Sequence, residues 1–243
     1  MTLPILGLLG SGEFQPWAGE ADRTLLDRAR TGDGRVLVLP TASAPEGEEV
    51  FARWGAMGLQ HYQELGVTAE VVPIRTREDA EDPATVERLA HASLVFFSGG
   101  NPAYLAATLT GTAFWAGVLV GLDHGLAYGG CSAGIQCLGE RALDSTVRPF
   151  GPEVWKPGLG LFRGVWFGPH WDALDRYVPG LSDLIRGSVP AGELLLAIDE
   201  NTAVVGDGER WKVMGAGGAH VWREDAWTDH PPGARFTLTL PRE

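Results

Sequence analysis

Through its first half this chain alternates short apolar runs with helix-length segments, and that rhythm constrains the fold more than any other feature. The runs are Ile5 to Leu9, Arg35 to Leu39, Ala69 to Ile74, Leu94 to Phe97 and Gly125 to Tyr128. They are rich in β-formers and apolar on both faces, as strands buried in a parallel sheet are. Between them, Ala21 to Arg30, Glu48 to Leu65 and Pro102 to His124 are long enough for helices that return the chain across the sheet. The expectation is an α/β fold with a mostly parallel sheet flanked by helices. At 243 residues and 44% apolar content the chain can bury a sizeable core. With no linker composition, repeat or low-complexity stretch, it reads as a single domain over residues 1–243.

The character changes after Val154. Gly158, Gly160, Gly164 and Gly168 punctuate an apolar stretch that leads to His170. Short runs separated by turns then follow: Leu194 to Ile198, Thr202 to Val205, Trp211 to Met214, Ala219 to Trp222 and Arg235 to Leu240. These predict a β-rich ending with hairpins.

Ligands of open parallel sheets gather at the carboxyl ends of the strands. Four loops of small residues fall there: Gly10-Ser11-Gly12, Pro40-Thr41-Ala42-Ser43, Ser98-Gly99-Gly100-Asn101 and Gly130-Cys131-Ser132-Ala133-Gly134. The first lacks the third glycine of a dinucleotide fingerprint, having Gln15 there. The last has the form of a nucleophile elbow, a sharp strand-to-helix turn that exposes a serine hydroxyl. A chain of this glycine and serine content shows the pattern by chance about 0.15 times, so its context must carry the argument.

A serine attacks only when a base takes its proton and an acid orients that base. Of six histidines, His61, His91, His124 and His230 suit structural or surface roles in helices and connections. His170 closes the apolar run Gly164 to Pro169 and can be aimed at the elbow's rim; His220, in a late apolar strand, is the second candidate. The acid falls in Ile198-Asp199-Glu200-Asn201-Thr202, where strand alternation sends Asp199 and Glu200 to opposite sides. Only one of them can face His170. An esterase-like set of Ser132, Asp199 and His220 stays open at this point. Cys131 is not the centre of the elbow, since glycines stand two positions either side of Ser132 and not of Cys131. It is expected to enter the core as a small apolar thiol.

Composition narrows the partners. The formal net charge is −12 with no basic run, which argues against nucleic acid or an anionic membrane and for a small peptide or other small molecule. Cys131 and Cys137 are the only cysteines, too few for a disulfide framework and without zinc spacing, which suits a reducing cytoplasm. Met1 to Pro4 lacks a leader pattern, and no apolar run reaches the roughly 18 residues of a membrane span.

The segments Gly-Ser-Gly-Glu from Gly10, Leu-Pro-Thr-Ala-Ser from Leu39, Phe-Ser-Gly-Gly-Asn from Phe97, Gly-Cys-Ser-Ala-Gly from Gly130, Gly-Leu-Gly-Leu from Gly158, Pro169-His170 and Ile-Asp-Glu-Asn-Thr-Ala from Ile198 occur in one order. Together they resemble the serine peptidase family that includes peptidase E (aspartyl dipeptidase) and cyanophycinase. The resemblance implies a class I glutamine amidotransferase-like fold, a flavodoxin-like three-layer sandwich. It implies Ser132 as nucleophile, His170 as general base and Glu200 as orienting acid, with Asp144 as the alternative third member. The order serine, histidine, acid also departs from α/β-hydrolases, where the acid precedes the histidine. Backbone N–H groups of Gly100 and Ala133 would form the oxyanion hole. Neither a metal nor an organic cofactor is implied, and a homodimer is compatible with the fold. Cyanophycinases carry an Asp-Gln pair around the histidine and several arginines after it, whereas this chain reads Pro169-His170-Trp171-Asp172 with only Arg176 nearby. That departure, with Asn101-Pro102 after the glycine loop, favours an exopeptidase or dipeptidase acting on small peptides, with acidic residues on the acyl side. Asn101 and Arg176 are the candidate substrate contacts. A cyanophycinase-like isopeptidase and a binding module without turnover are the other readings.

Overall fold

The computed structural model of the protein describes residues 3–242. Met1 and Thr2, half of the segment read for a leader, lie outside the described residues. The strands are β1 (Ile5–Leu9), β2 (Arg35–Leu39), β3 (Ala69–Val71), β4 (Ala92–Phe97), β5 (Ala127–Cys131), β6 (Arg141–Leu143) and β7 (Trp155–Pro157). They continue as β8 (Val165–Gly168), β9 (Leu194–Ile198), β10 (Thr202–Gly206), β11 (Arg210–Gly215), β12 (Ala219–Arg223), β13 (Ala226–His230) and β14 (Arg235–Thr237).

The principal sheet has the order β14-β11-β10-β1-β5-β4-β2-β3. From β1 to β3 every pairing is parallel; from β1 outward through β10, β11 and β14 every pairing is antiparallel. The parallel half is buried on both faces because its side chains alternate between two apolar layers. Leu6, Leu8, Leu37, Leu39, Val95, Phe97 and Tyr128 enter one layer. Ile5, Leu9, Val36, Val38, Leu94, Phe96, Ala127 and Cys131 enter the other. The continuous apolar runs in the sequence follow from this two-sided burial. Helices Gly19–Arg28 and Glu48–Glu64 and the pair Pro102–Leu109 and Ala113–His124 cover the faces.

A second sheet, β13-β12-β9-β8, pairs β8 with β9 in parallel and the rest antiparallel. The turn after β9 carries the chain directly into β10, beside β1 in the principal sheet. The carboxyl ends of β8 and β9 are therefore delivered to the same rim as those of β1, β4 and β5.

Several local expectations are corrected. The fifth strand starts at Ala127 and runs to Cys131, because Gly125 adopts a left-handed φ of 104° that ends the preceding helix. Pro102 to His124 is two helices bent by 93°, broken at Thr110 to Thr112, where Gly111 has φ 71°. The third run is a strand only through Val71. His230 ends β13 and stacks on Phe236 instead of lying in a loop. No single helix among the described residues is long and apolar enough to cross a membrane.

Candidate active site

The elbow is built by three close approaches of backbone. Ser132 sits at φ 51° and ψ −105°, a region that L-residues rarely occupy and that costs of order 1–3 kcal/mol. Its N–H donates to Leu9 O at 3.0 Å, tying it to the end of β1. The flanking glycines are steric necessities: a Cβ on Gly130 would stand 2.4 Å from Gly134 O, and one on Gly134 would stand 2.3 Å from Phe97 O. The Tyr128 hydroxyl donates to Gly134 O at 2.5 Å and fastens the short helix Ala133–Gln136 to the strand.

His170 lies two residues beyond β8, also with a left-handed φ of 56°. Trp171 N–H donates to Ile198 O at 3.0 Å, holding this turn against the end of β9. Because Gly168 pairs in register with Ala197, the residues just past each strand emerge side by side. The outcome is a chain of hydrogen bonds. With Glu200 as a carboxylate, His170 Nδ1–H donates to Glu200 Oε1 at 3.0 Å, and Nε2 accepts from Ser132 Oγ at 2.9 Å. Partial burial pushes the Glu200 carboxyl up, but hydrogen bonds from His170 and Tyr177 outweigh it and leave it below the usual value. Such an imidazole can take the serine proton while a fixed negative charge steadies the resulting imidazolium.

Asp199 points the other way, as alternation requires, and its Oδ1 lies 3.1 Å from His220 Nε2. His220 Nδ1 meets Asp229 at 2.7 Å, so neither ring nitrogen is left for Ser132. The set Ser132, Asp199, His220 is therefore not brought together. Asp144 also stands apart: it accepts from Asn101 Nδ2, Thr146 N and Thr146 Oγ1. The Thr146 hydroxyl is the largest cause of its lowered pKa.

The Ser98-Gly99-Gly100 loop packs on the elbow, a Cβ built on Gly99 lying 3.6 Å from Ser132 Cβ. Among the described residues, no acceptor takes the N–H of Gly100 or of Ala133. Asn101, 8% exposed, caps the following helix through Oδ1 to Tyr104 N and spends one Nδ2 proton on Asp144. Asn101 also lines a cavity of about 640 Å³ together with Tyr104, Ala107 and Lys156. Arg176 is largely exposed and pairs with Asp172 at 3.5 Å.

Three contributors escaped the sequence reading. Tyr177 donates its hydroxyl to Glu200 Oε1 at 2.8 Å, and Asp172 Oδ1 accepts the Glu200 N–H at 2.8 Å. Glu13, buried beneath the elbow, accepts from Gly99 N–H at 2.9 Å and from Cys131 Sγ–H at 2.8 Å. The apolar role expected for Cys131 is corrected accordingly: its thiol is buried but hydrogen-bonded. Only Glu13 left a signal, as the last residue of the Gly-Ser-Gly-Glu segment. Among the described residues, no group of three or more His, Cys, Asp or Glu side chains could hold a metal ion.

The model of peptidase family S51 matches residues 6–214. The cyanophycinases of Nostoc sp. and Trichormus variabilis are each 26% identical over 222 residues, covering 88% of this chain and 72% of theirs. A crystal structure of a peptidase from an acI-B1 actinobacterium superposes with a TM-score of 0.88 at 30% identity, over 97% of both chains. A peptidase E protein from Listeria monocytogenes shares the fold, with a TM-score of 0.62 at 17% identity over 88% of this chain and 99% of that one. With the family model running from β1 into β11 and taking in the elbow serine, His170 and Glu200, the chain belongs to peptidase family S51 and is a serine peptidase.

Proposed function

We propose that this peptidase uses Ser132 as nucleophile, His170 as general base and Glu200 as orienting acid, and that it hydrolyses small peptides with an acidic residue on the acyl side. The observation that carries the reading is the His170 ring, 2.9 Å from Ser132 Oγ on one side and 3.0 Å from Glu200 on the other. His170 Nε2 takes the hydroxyl proton as Oγ attacks the peptide carbonyl carbon. The carbonyl oxygen becomes an anion held by the N–H groups of Gly100 and Ala133, each worth roughly 3–4 kcal/mol of transition-state stabilisation. Collapse breaks the C–N bond, His170 gives its proton to the leaving amine, and an ester to Ser132 remains. Water, deprotonated by His170, attacks the ester carbonyl; the C–Oγ bond breaks to release the acid, and His170 returns the proton to Oγ. Glu200 stays ionised throughout.

Arg176 and Asn101 would recognise the acidic substrate, the guanidinium by two parallel bonds to a carboxylate. The reading keeps one domain acting in the cytoplasm, and it is compatible with a homodimer. A dipeptide library screened with wild type and Ser132→Ala in parallel tests it. Cleavage of Asp- or Glu-containing dipeptides that vanishes in Ser132→Ala is expected, and turnover retained in the variant overturns the mechanism. Cyanophycin in the same screen tests the activity named for the Nostoc relative; its cleavage in preference to dipeptides overturns the substrate reading.

A further inference from the structure

We propose that Glu13 is a positioning residue that sets the oxyanion donor of Gly100 against Ser132 by holding the loop and the elbow with one carboxyl group. The inference rests on the roles assigned above to Ser132 and Gly100. Glu13 is a buried acid, 5% exposed, that the reaction itself does not use. Its two oxygens go to two different elements. Oε1 takes the N–H of Gly99, the residue before the oxyanion donor, at 2.9 Å. Oε2 takes the thiol of Cys131, the residue before the nucleophile, at 2.8 Å. One carboxyl group therefore bridges the two backbones that must meet around a tetrahedral intermediate.

Three further observations support this role. Occupying the Gly99 N–H leaves the Gly100 N–H as the free donor of the loop, and Gly100 adopts φ 142° with Ala42 so close that a Cβ would stand 2.3 Å from its carbonyl. Burial, reinforced by the neighbouring Glu13, pushes the Cys131 thiol well up, so Cys131 stays a protonated donor. Phe14, next to Glu13, is held at a left-handed φ of 62° with its ring 5.1 Å from Phe96 and against His61 and Tyr62. These ring contacts anchor the strained Phe14, and with it the backbone from which Glu13 projects.

Fluorophosphonate labelling of Ser132 tests the proposal without knowledge of the peptide substrate, because Oγ displaces fluoride from phosphorus while the phosphoryl oxygen enters the oxyanion hole. Glu13→Met keeps the volume and removes both acceptors. It should lower the limiting labelling rate about 100-fold, the loss seen on deleting one oxyanion donor, with the half-saturating concentration within about threefold. Glu13→Gln can still accept from Gly99 and place its amide against the Cys131 sulfur, so it should recover to within about tenfold of wild type. Glu13→Asp, too short to reach both donors, should lose about tenfold and serves if Glu13→Met does not fold. A limiting rate at wild-type level in folded Glu13→Met or in Glu13→Asp overturns the proposal, as does a loss confined to the half-saturating concentration. Wild-type labelling that survives Ser132→Ala would instead overturn the underlying site reading, so the two failures are separable.

Discussion

Two histidines lie at the meeting of the two sheets, each against one of two consecutive carboxylates, and they are wired differently. His170 has Glu200 on one nitrogen and the Ser132 hydroxyl on the other; His220 has Asp199 on one and Asp229 on the other. Both arrangements follow from a single rule, the alternation of side chains past the end of β9. The far partner decides the consequence. A hydroxyl gives the ring a proton to accept and a group to activate. A second carboxylate instead favours the charged ring, and the Asp199 hydrogen bond raises the His220 pKa above 6.5 against the opposing effect of burial. In the proposed mechanism the first moves a proton, whereas the second clamps β9, β12 and β13 together.

The largest effect expected on this contrast comes from Ser132→Ala. Peptide turnover and fluorophosphonate labelling should fall by about 10⁴-fold or more, with unchanged near-ultraviolet circular dichroism. His170→Ala should cost a similar factor in kcat, whereas His220→Ala should leave kcat within about threefold and lower Tm; the reverse result would exchange the two assignments. Glu200→Gln should lower kcat by about 10²- to 10⁴-fold through loss of the oriented tautomer, read in steady-state kinetics, with Tyr177→Phe costing only a few-fold.

A subtler test uses pH. His220 is raised in the folded state, so its contribution to stability is complete below pH 6.5 and lost as the pH rises through the higher folded value. The Tm difference between wild type and His220→Gln should therefore be widest at pH 6 and shrink toward pH 9, measured by differential scanning fluorimetry. Arg176→Ala should have the smallest effect. Its guanidinium is largely exposed and its pairing with Asp172 is long, so Tm should stay nearly constant while KM for acidic dipeptides rises several-fold.

How far the sequence disclosed this molecule depends on the range of the interactions involved. The parallel strands were legible because burial on both faces writes itself as uninterrupted apolar runs. Ser132, His170 and Glu200 were legible as strand-end residues within an ordered set of segments. The bend between Pro102–Leu109 and Ala113–His124 was not, since helices buried on several sides lose the amphipathic period that would mark their limits. Strand β13 was missed because its residues are mostly exposed and polar, leaving no apolar pattern. The bridging role of Glu13 was out of reach for another reason, although the residue closes the Gly-Ser-Gly-Glu segment. Its partners lie 86 and 118 residues further along the chain, and no local rule connects them.

The position of β10 has a consequence in time. Ser132 and His170 are both present once 170 residues have been made, yet the paired ends of β8 and β9 that hold His170 beside Glu200 are delivered to Ser132 only when β10 lays itself antiparallel along β1, matching Leu9 to Ala203 and Leu6 to Gly206. That pairing spans nearly 200 residues and must await the last fifth of the chain. If the proposed roles hold, a product terminated before β10 carries Ser132 without its base in place, and hydrolytic competence arrives only once β10 has been made.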